Sequence, residues 1–173
     1  MAFIRTKKIK GKKYAYIVEN RWCKQKVKQK VKKYLGRVYT FKRTETESDF
    51  ERFVSKDIAK YTEERDAKNI ILDLVRWELD NHGFEDKEGL MVKDGCAVDL
   101  KKLKIRNNSG ACIALELNEG LLNEYKLKQF LKFDFGTELS EHDAAYLLAK
   151  EFVENGIKVP HDVFVAVFEK LFK

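Results

Sequence analysis

The spacing of apolar positions changes character along the chain. Phe3 and Ile4 open a β-type run, Gly11-Lys12-Lys13 reads as a turn, and residues 14–18 are rich in strand formers. Residues 20–24 read as a second, looser turn. Residues 24–35 carry two patterns at once. Val27, Val31, Tyr34 and Leu35 recur at helical spacing, whereas Lys24, Lys26, Lys28, Lys30 and Lys32 alternate strictly. The stiffness of valine and the lack of an N-cap signal favour the strand. The outcome is a short three-stranded meander ending at Gly36.

Helical spacing then takes over. Ser48-x-x-Glu51 reads as a capping box ahead of Phe50, Phe53, Val54 and Ile58. After a break near Tyr61-Thr62, residues 67, 70, 71, 74 and 79 form an apolar stripe, with Gly83 at the left-handed stop. Leu90–Lys93, Asp94-Gly95 and Cys96–Asp99 predict a tight hairpin. Residues 103–106 and 111–117, joined by Asn107-Asn108-Ser109-Gly110, read as a second one. Asn118 is placed to cap a helix running through Leu121-Leu122. Ser140-x-x-Asp143 caps another, which stops at Asn155-Gly156. Pro160 suits the first position of a last helix with the stripe Phe164, Val167, Phe168 and Leu171. The fold class expected is α+β: a basic β module over residues 1–43, then a body over residues 44–173. That body has helices over about 48–82, hairpins over about 90–117 and helices over about 119–172.

Charge sharpens this division. Residues 1–43 hold sixteen Lys/Arg and one acid, Glu19, a net of +15. The remaining residues hold nineteen Lys/Arg and twenty-seven Asp/Glu, a net of −8. A basic head on an acidic body points to an anionic polymer as partner. On a strand, residues two apart share a face at about 6.6 Å. Each neighbouring ammonium pair at that pitch repels by about 0.6 kcal/mol in water. A row of phosphates would remove that cost and release counterions. A solvated edge guarded against strand pairing is the plainer account, and one or two lysines would serve it. The expected nucleic-acid contacts are Lys24, Lys26, Lys28, Lys30 and Lys32, with Lys7, Lys8, Lys10, Lys12, Lys13, Arg21 and Trp22. Tyr14, Tyr16, Trp22, Tyr34 and Tyr39 lie among them, either as stacking platforms for bases or as the small core of the meander.

The strings from Arg5 to Gly11 (RTKKIKG), from Tyr14 to Glu19 (YAYIVE) and from Lys26 to Gly36 (KVKQKVKKYLG) carry a resemblance. Together they resemble the N-terminal module of DDE-type insertion-sequence transposases, over residues 1–36 only. The resemblance implies a DNA-associated β module and tilts the partner toward DNA over RNA. It does not carry transposition, because the body is far shorter than that family's catalytic domain and its three spaced carboxylates have no place here. The body resembles no family.

Other chemistry is thinner. Asp99-x-Lys101, with Asp94 and Glu116 nearby in the pattern, outlines a metal-dependent nuclease of restriction type. Asp94 is already accounted for as a turn residue. A structural protein of a ribonucleoprotein particle is a further alternative. His82 lies at a helix end, where a cation suits the dipole. His142 and His161 sit in first helical turns, and none of the three has metal spacing. Cys23, Cys96 and Cys112 are far apart and read as reduced thiols. Neither a cofactor nor a metal nor a catalytic residue is expected. A Lys- and Glu-rich composition with few Gln resembles thermophile proteins. The lack of a long apolar run or a leader after Met1 implies a cytoplasmic protein with no membrane partner. Phe164, Phe168 and Phe172 offer either a dimer surface or a buried stripe, and the body could also dock a protein partner.

Overall fold

An unbroken run of fifteen strand residues dominates the first quarter of the chain. In the computed structural model, which describes residues 2–23, 26–45, 48–136 and 139–172, strand β3 covers Lys26–Thr40. It pairs antiparallel with β2 (Lys12–Cys23), which pairs antiparallel with β1 (Ala2–Ile9). The alternating Lys/Val/Gln pattern of residues 26–33 therefore forms a strand. The meander does not end at Gly36. Residues Arg37 to Thr40 pair in parallel with Ile113 to Glu116 of β8 (Ile113–Leu117), and β9 (Gly120–Asn123) closes the sheet in the order β1-β2-β3-β8-β9. The looser turn expected from Asn20 onward is also shorter. Strand β2 runs to Cys23, and only positions 24 and 25, outside the described residues, separate it from β3.

Gly36 explains why the chain passes through this position as a strand. Its φ is +118°, and a Cβ there would collide with the Cys112 carbonyl oxygen. The glycine allows the two backbones to meet and is no stop signal.

A second sheet has the order β4-β5-β6-β7, formed by Glu85–Lys87, Leu90–Lys93, Cys96–Asp99 and Lys104–Asn107. The Asp94-Gly95 hairpin forms as expected, with φ of +45° and +76° at its two turn residues. The turn at residues 107–110 behaves differently. It links β7 to β8, and these strands part into different sheets, sharing one bridge between Arg106 and Cys112. The hydrophobic residues of β8 find their partners on β3 and β9 instead.

Helices α1 (Phe50–Val54), α2 (Ile58–Glu64), α3 (Ala67–Asn81), α4 (Glu124–Phe130), α5 (Glu141–Glu154) and α6 (His161–Leu171) complete the α+β fold. The Ser48 capping box does not form. Asp49 holds the N-cap of α1 without a side-chain bond, and Ser48 instead donates from its backbone N–H to Asn81 Oδ1 at 2.9 Å. The helix break falls at Arg65-Asp66, because Asp66 caps α3 by accepting from the Asn69 N–H at 2.8 Å. Asn118 caps nothing. It occupies the β8–β9 turn with φ +49°, and Asn123 caps α4. Ser140 caps α5 as expected. Pro160 stands one position earlier than expected, at the N-cap of α6. Of the terminal phenylalanines, Phe164 and Phe168 are half-buried, 6.1 Å from Phe152 and 5.6 Å from Phe135, whereas Phe172 stays exposed although its ring lies 5.7 Å from Phe135. Among the described residues no helix is long and apolar enough to cross a membrane.

The main core fills the space between the two sheets and the helices, and at its edge lies a buried carboxylate. Glu78 of α3 accepts from Arg43 Nε and Nη2 at 3.1 and 3.3 Å, from Asn118 Nδ2 at 2.7 Å and from the Lys158 N–H at 3.0 Å. One side chain thus ties the segment after β3, the β8–β9 turn and the α5–α6 connection to α3. His82 is buried beside it, with Nδ1 2.8 Å from the Glu78 carbonyl oxygen. A carbonyl only accepts, so Nδ1 carries the proton. Burial holds the His82 pKa below its ordinary 6.5. His82 is therefore a neutral donor at pH 7 and not the helix-end cation expected.

Gly36→Ala should cost about 3 kcal/mol or more, through a clash and a forbidden φ, whereas Gly11→Ala, with open space around it, should cost about 1–2 kcal/mol. Urea denaturation of the two variants measures both. The depressed pKa of His82 means that the unfolded chain takes up a proton below pH 6.5 that the folded chain resists. Stability from this group is thus complete above pH 6.5 and is lost as the pH falls below it. An imidazole NMR titration should place the His82 midpoint below 6.5, alongside a falling unfolding free energy in that window.

Candidate functional site

The three N-terminal strands form an arm whose two faces differ in chemistry. Facing residues of an antiparallel pair share one side of a sheet, so the register sorts the side chains. Lys26, Lys28 and Lys30 face Cys23, Arg21 and Glu19 respectively. A bulge between Ile17 and Val18 inserts Lys32 as an extra residue and sets Lys33 opposite Ile17. Lys32 Nζ reaches Glu19 Oε2 at 3.1 Å, and Lys33 Nζ sits 4.7 Å above the Tyr125 ring, next to the cluster of Ala15, Ile17, Leu35 and Val38. The bulge therefore keeps Lys32 on the lysine face and adds Lys33 to it. Lys24 lies outside the described residues.

The remaining expected contacts divide between the faces. Lys8 and Lys13 face one another on the lysine side, at the end of the arm near the body. Lys13 is bound to Glu116, which also accepts from Thr40 Oγ1 at 2.6 Å. Burial pushes the Glu116 pKa up, but the hydrogen bonds from Lys13 and Thr40 outweigh it, and the carboxyl stays below its usual range. Arg21 is on the lysine face and is shared with Glu19 at 3.2 Å. Hydrogen bonds from Lys32 and Arg21 hold the Glu19 pKa low, so the sole acid of the head is ionised and engaged. Lys10, with φ +48°, sits in the β1–β2 turn. Lys7 and Lys12 face Tyr14 and Ile9 on the other side of the sheet, with Arg5, Tyr16 and Trp22. Among the described residues, Lys26, Lys28 and Lys30 make no ion pair, and all three are exposed.

That other side gathers the exposed apolar side chains of the arm. Phe3, Ile9, Trp22, Val27, Val31 and Tyr34 are all on it. Trp22 is not in a turn: it pairs with Val27 within the β2–β3 ladder and is 80% exposed. Tyr34 packs against Tyr16 and Tyr14, with ring centroids 5.3 and 6.4 Å away. The tyrosines thus form a partial core at the base, while the tip presents its aromatic surface to solvent.

The residues of the nuclease pattern have structural partners. Asp99 accepts from the Lys102 N–H at 2.9 Å, Asp94 occupies the hairpin turn, and Glu116 belongs to Lys13 and Thr40. Among the described residues no three His, Cys, Asp or Glu side chains gather as a metal site. Burial pushes the Cys96 thiol up to about 11, which leaves it protonated. Sequence reasoning missed Lys33, whose only signal was the Lys32-Lys33 doublet breaking the alternation.

The exposure of the tip is directly measurable. Iodide should strongly quench Trp22 emission, whereas the Trp22→Phe variant, left with the buried Trp77, should resist quenching. The chain matches no protein-family model, no curated protein and no solved structure.

Proposed function

We propose that this chain is a non-enzymatic nucleic-acid-binding protein that grips the phosphate backbone with the lysine face of its N-terminal arm, largely without regard to sequence. The observation that carries the reading is the row of exposed side chains Lys26, Lys28 and Lys30, continued by Lys32 and Lys33, on one face of an arm whose own sole acid is Glu19. Alignment of like charges at about 6.6 Å is unfavourable in the free protein, and phosphates offset it. Counterion release then supplies affinity. β8 flanks β3 only at Arg37 to Thr40, so Lys26 to Lys33 run along a sheet edge; guarding an edge takes one or two lysines, and five exceed that need.

Engagement of Glu116 and Asp99 in structural contacts supports binding over cleavage. DNA is the preferred polymer, on the likeness of residues 1–36 to transposase modules, and the site of action is the cytoplasm.

Affinity for duplex DNA and for structured RNA, measured at several salt concentrations, tests this. About five phosphate contacts from the arm imply a log–log salt slope near −4.5 on duplex DNA, so affinity should fall about 500-fold between 50 and 200 mM salt. Replacing Lys26, Lys28 and Lys30 by Gln should flatten the slope by about 2–3. DNA should bind more tightly than RNA, and neither should be cut in magnesium or manganese. A flat salt response, or no effect of the three substitutions, overturns the reading.

A further inference from the structure

The body is acidic overall, yet one groove in it is strongly basic. A groove of about 670 Å³ runs between α3, the β6–β7 connection and α4. Its basic lining is Arg65, Lys68, Arg76, Lys101, Lys128 and Lys132, above a floor of leucines. Asp73 is the sole acid of the lining, and it is held by Arg65 Nη2 at 3.0 Å and by the Tyr61 hydroxyl at 2.8 Å. The lining therefore carries a net of +5 within a body of net −8. Lys68, Lys101 and Lys132 make no ion pair among the described residues. Arg76 Nε is buried there without a hydrogen-bond partner, an arrangement that costs free energy.

This groove is continuous with the arm. Lys128 and Lys132 also line a smaller pocket, of about 250 Å³, together with Lys33, Glu124, Tyr125 and Gln129; Glu124, its one acid, is held by Arg106 Nε at 2.8 Å and lies 3.9 Å from Lys128 Nζ. Lys33 ends the lysine row on the side of the body. The basic side chains thus form a track from the tip of the arm, through Lys33 and α4, into the groove. Low-dielectric walls focus the field of such a groove on an anion within it.

We propose that the nucleic-acid path continues from the arm along α4 into this groove, where Lys68, Arg76, Lys101 and Lys132 meet further phosphates of the same polymer. The inference rests on the arm reading above and extends it: the bound polymer is long enough to touch arm and body at once. Arg76 adds a guanidinium charge to the groove wall, and the exposed lysines supply charge without fixed geometry.

The test uses the full chain carrying Lys68→Gln, Lys101→Gln and Lys132→Gln, three exposed positions, with the corresponding Lys→Arg triple variant as control. Probes are a duplex of about 20 base pairs, a duplex of about 6, and a nucleoside triphosphate. The Gln variant should lose about tenfold or more on the long duplex, with the salt slope flattened by about 2–3. It should match wild type on the short duplex, and the Arg variant should behave as wild type throughout. If the Gln variant holds the long duplex as wild type does, while substitution of Lys26, Lys28 and Lys30 releases it, the groove lies off the path and the arm reading stands. Loss of the nucleoside triphosphate alone likewise places the groove off the path. If neither set of substitutions affects binding, both readings fall.

Discussion

Four residues of parallel pairing, Arg37 to Thr40 against Ile113 to Glu116, hold the arm to the body. The basic hairpin system has no other strand partner there, so its orientation depends on this seam. Two features make the seam possible. Gly36 lets the β3 backbone close on Cys112, and the Lys13–Glu116–Thr40 group locks the adjoining strand on the lysine face. Beyond the seam, the Thr44 N–H donates to the Asn81 carbonyl at 2.8 Å and Arg43 reaches Glu78, so the chain leaving β3 is fixed to α3 at once. Parallel pairing of this kind links segments distant in sequence, and pairing across so long a loop is intrinsically slow to form.

Electrostatics sets what this architecture is fit to do. The arm concentrates like charge along one face and keeps a single acid, already engaged by Lys32 and Arg21. The acidic body offsets the net charge of the molecule without neutralising that face. Its carboxylates pair locally instead, as with Lys126 against Glu151 and Glu154 at 3.4 and 2.5 Å. Lys126 is largely shielded from solvent here, whereas exposed pairs such as Lys87 with Glu85 contribute little stability. Their effect is on the shape of the field, which leaves positive charge concentrated on the arm and in the groove.

Local patterns in the sequence were legible where local chemistry decides the structure. Asp94-Gly95 forces its turn, Ser140 caps its helix, and the alternation of lysines proved to be a strand. The pattern failed where distant partners decide. Gly36 looked like a terminus because its tight contact with Cys112 lies 76 residues away in sequence. Residues 103–117 had the form of a hairpin, yet β8 pairs with β3, which no local signal announces. Ser48 and Asn118 looked like caps, but each found a better partner in the α3 region: Asn81 for one, Glu78 for the other. The arm was visible as a candidate site because its charges are contiguous in sequence. The groove was not, since Arg65, Lys101 and Lys132 converge only through folding.

The central claim is that the lysine face of β3 is where polymer phosphates sit. Backbone and lysine side-chain NMR shifts of the intact protein, recorded while duplex DNA is titrated in, test it most directly. The largest changes should fall on Lys26, Lys28, Lys30, Lys32 and Lys33, with the opposite aromatic face much less affected. Shifts confined to Trp22, Tyr34 and their neighbours, or to the acidic helices with the lysine row unmoved, would contradict it.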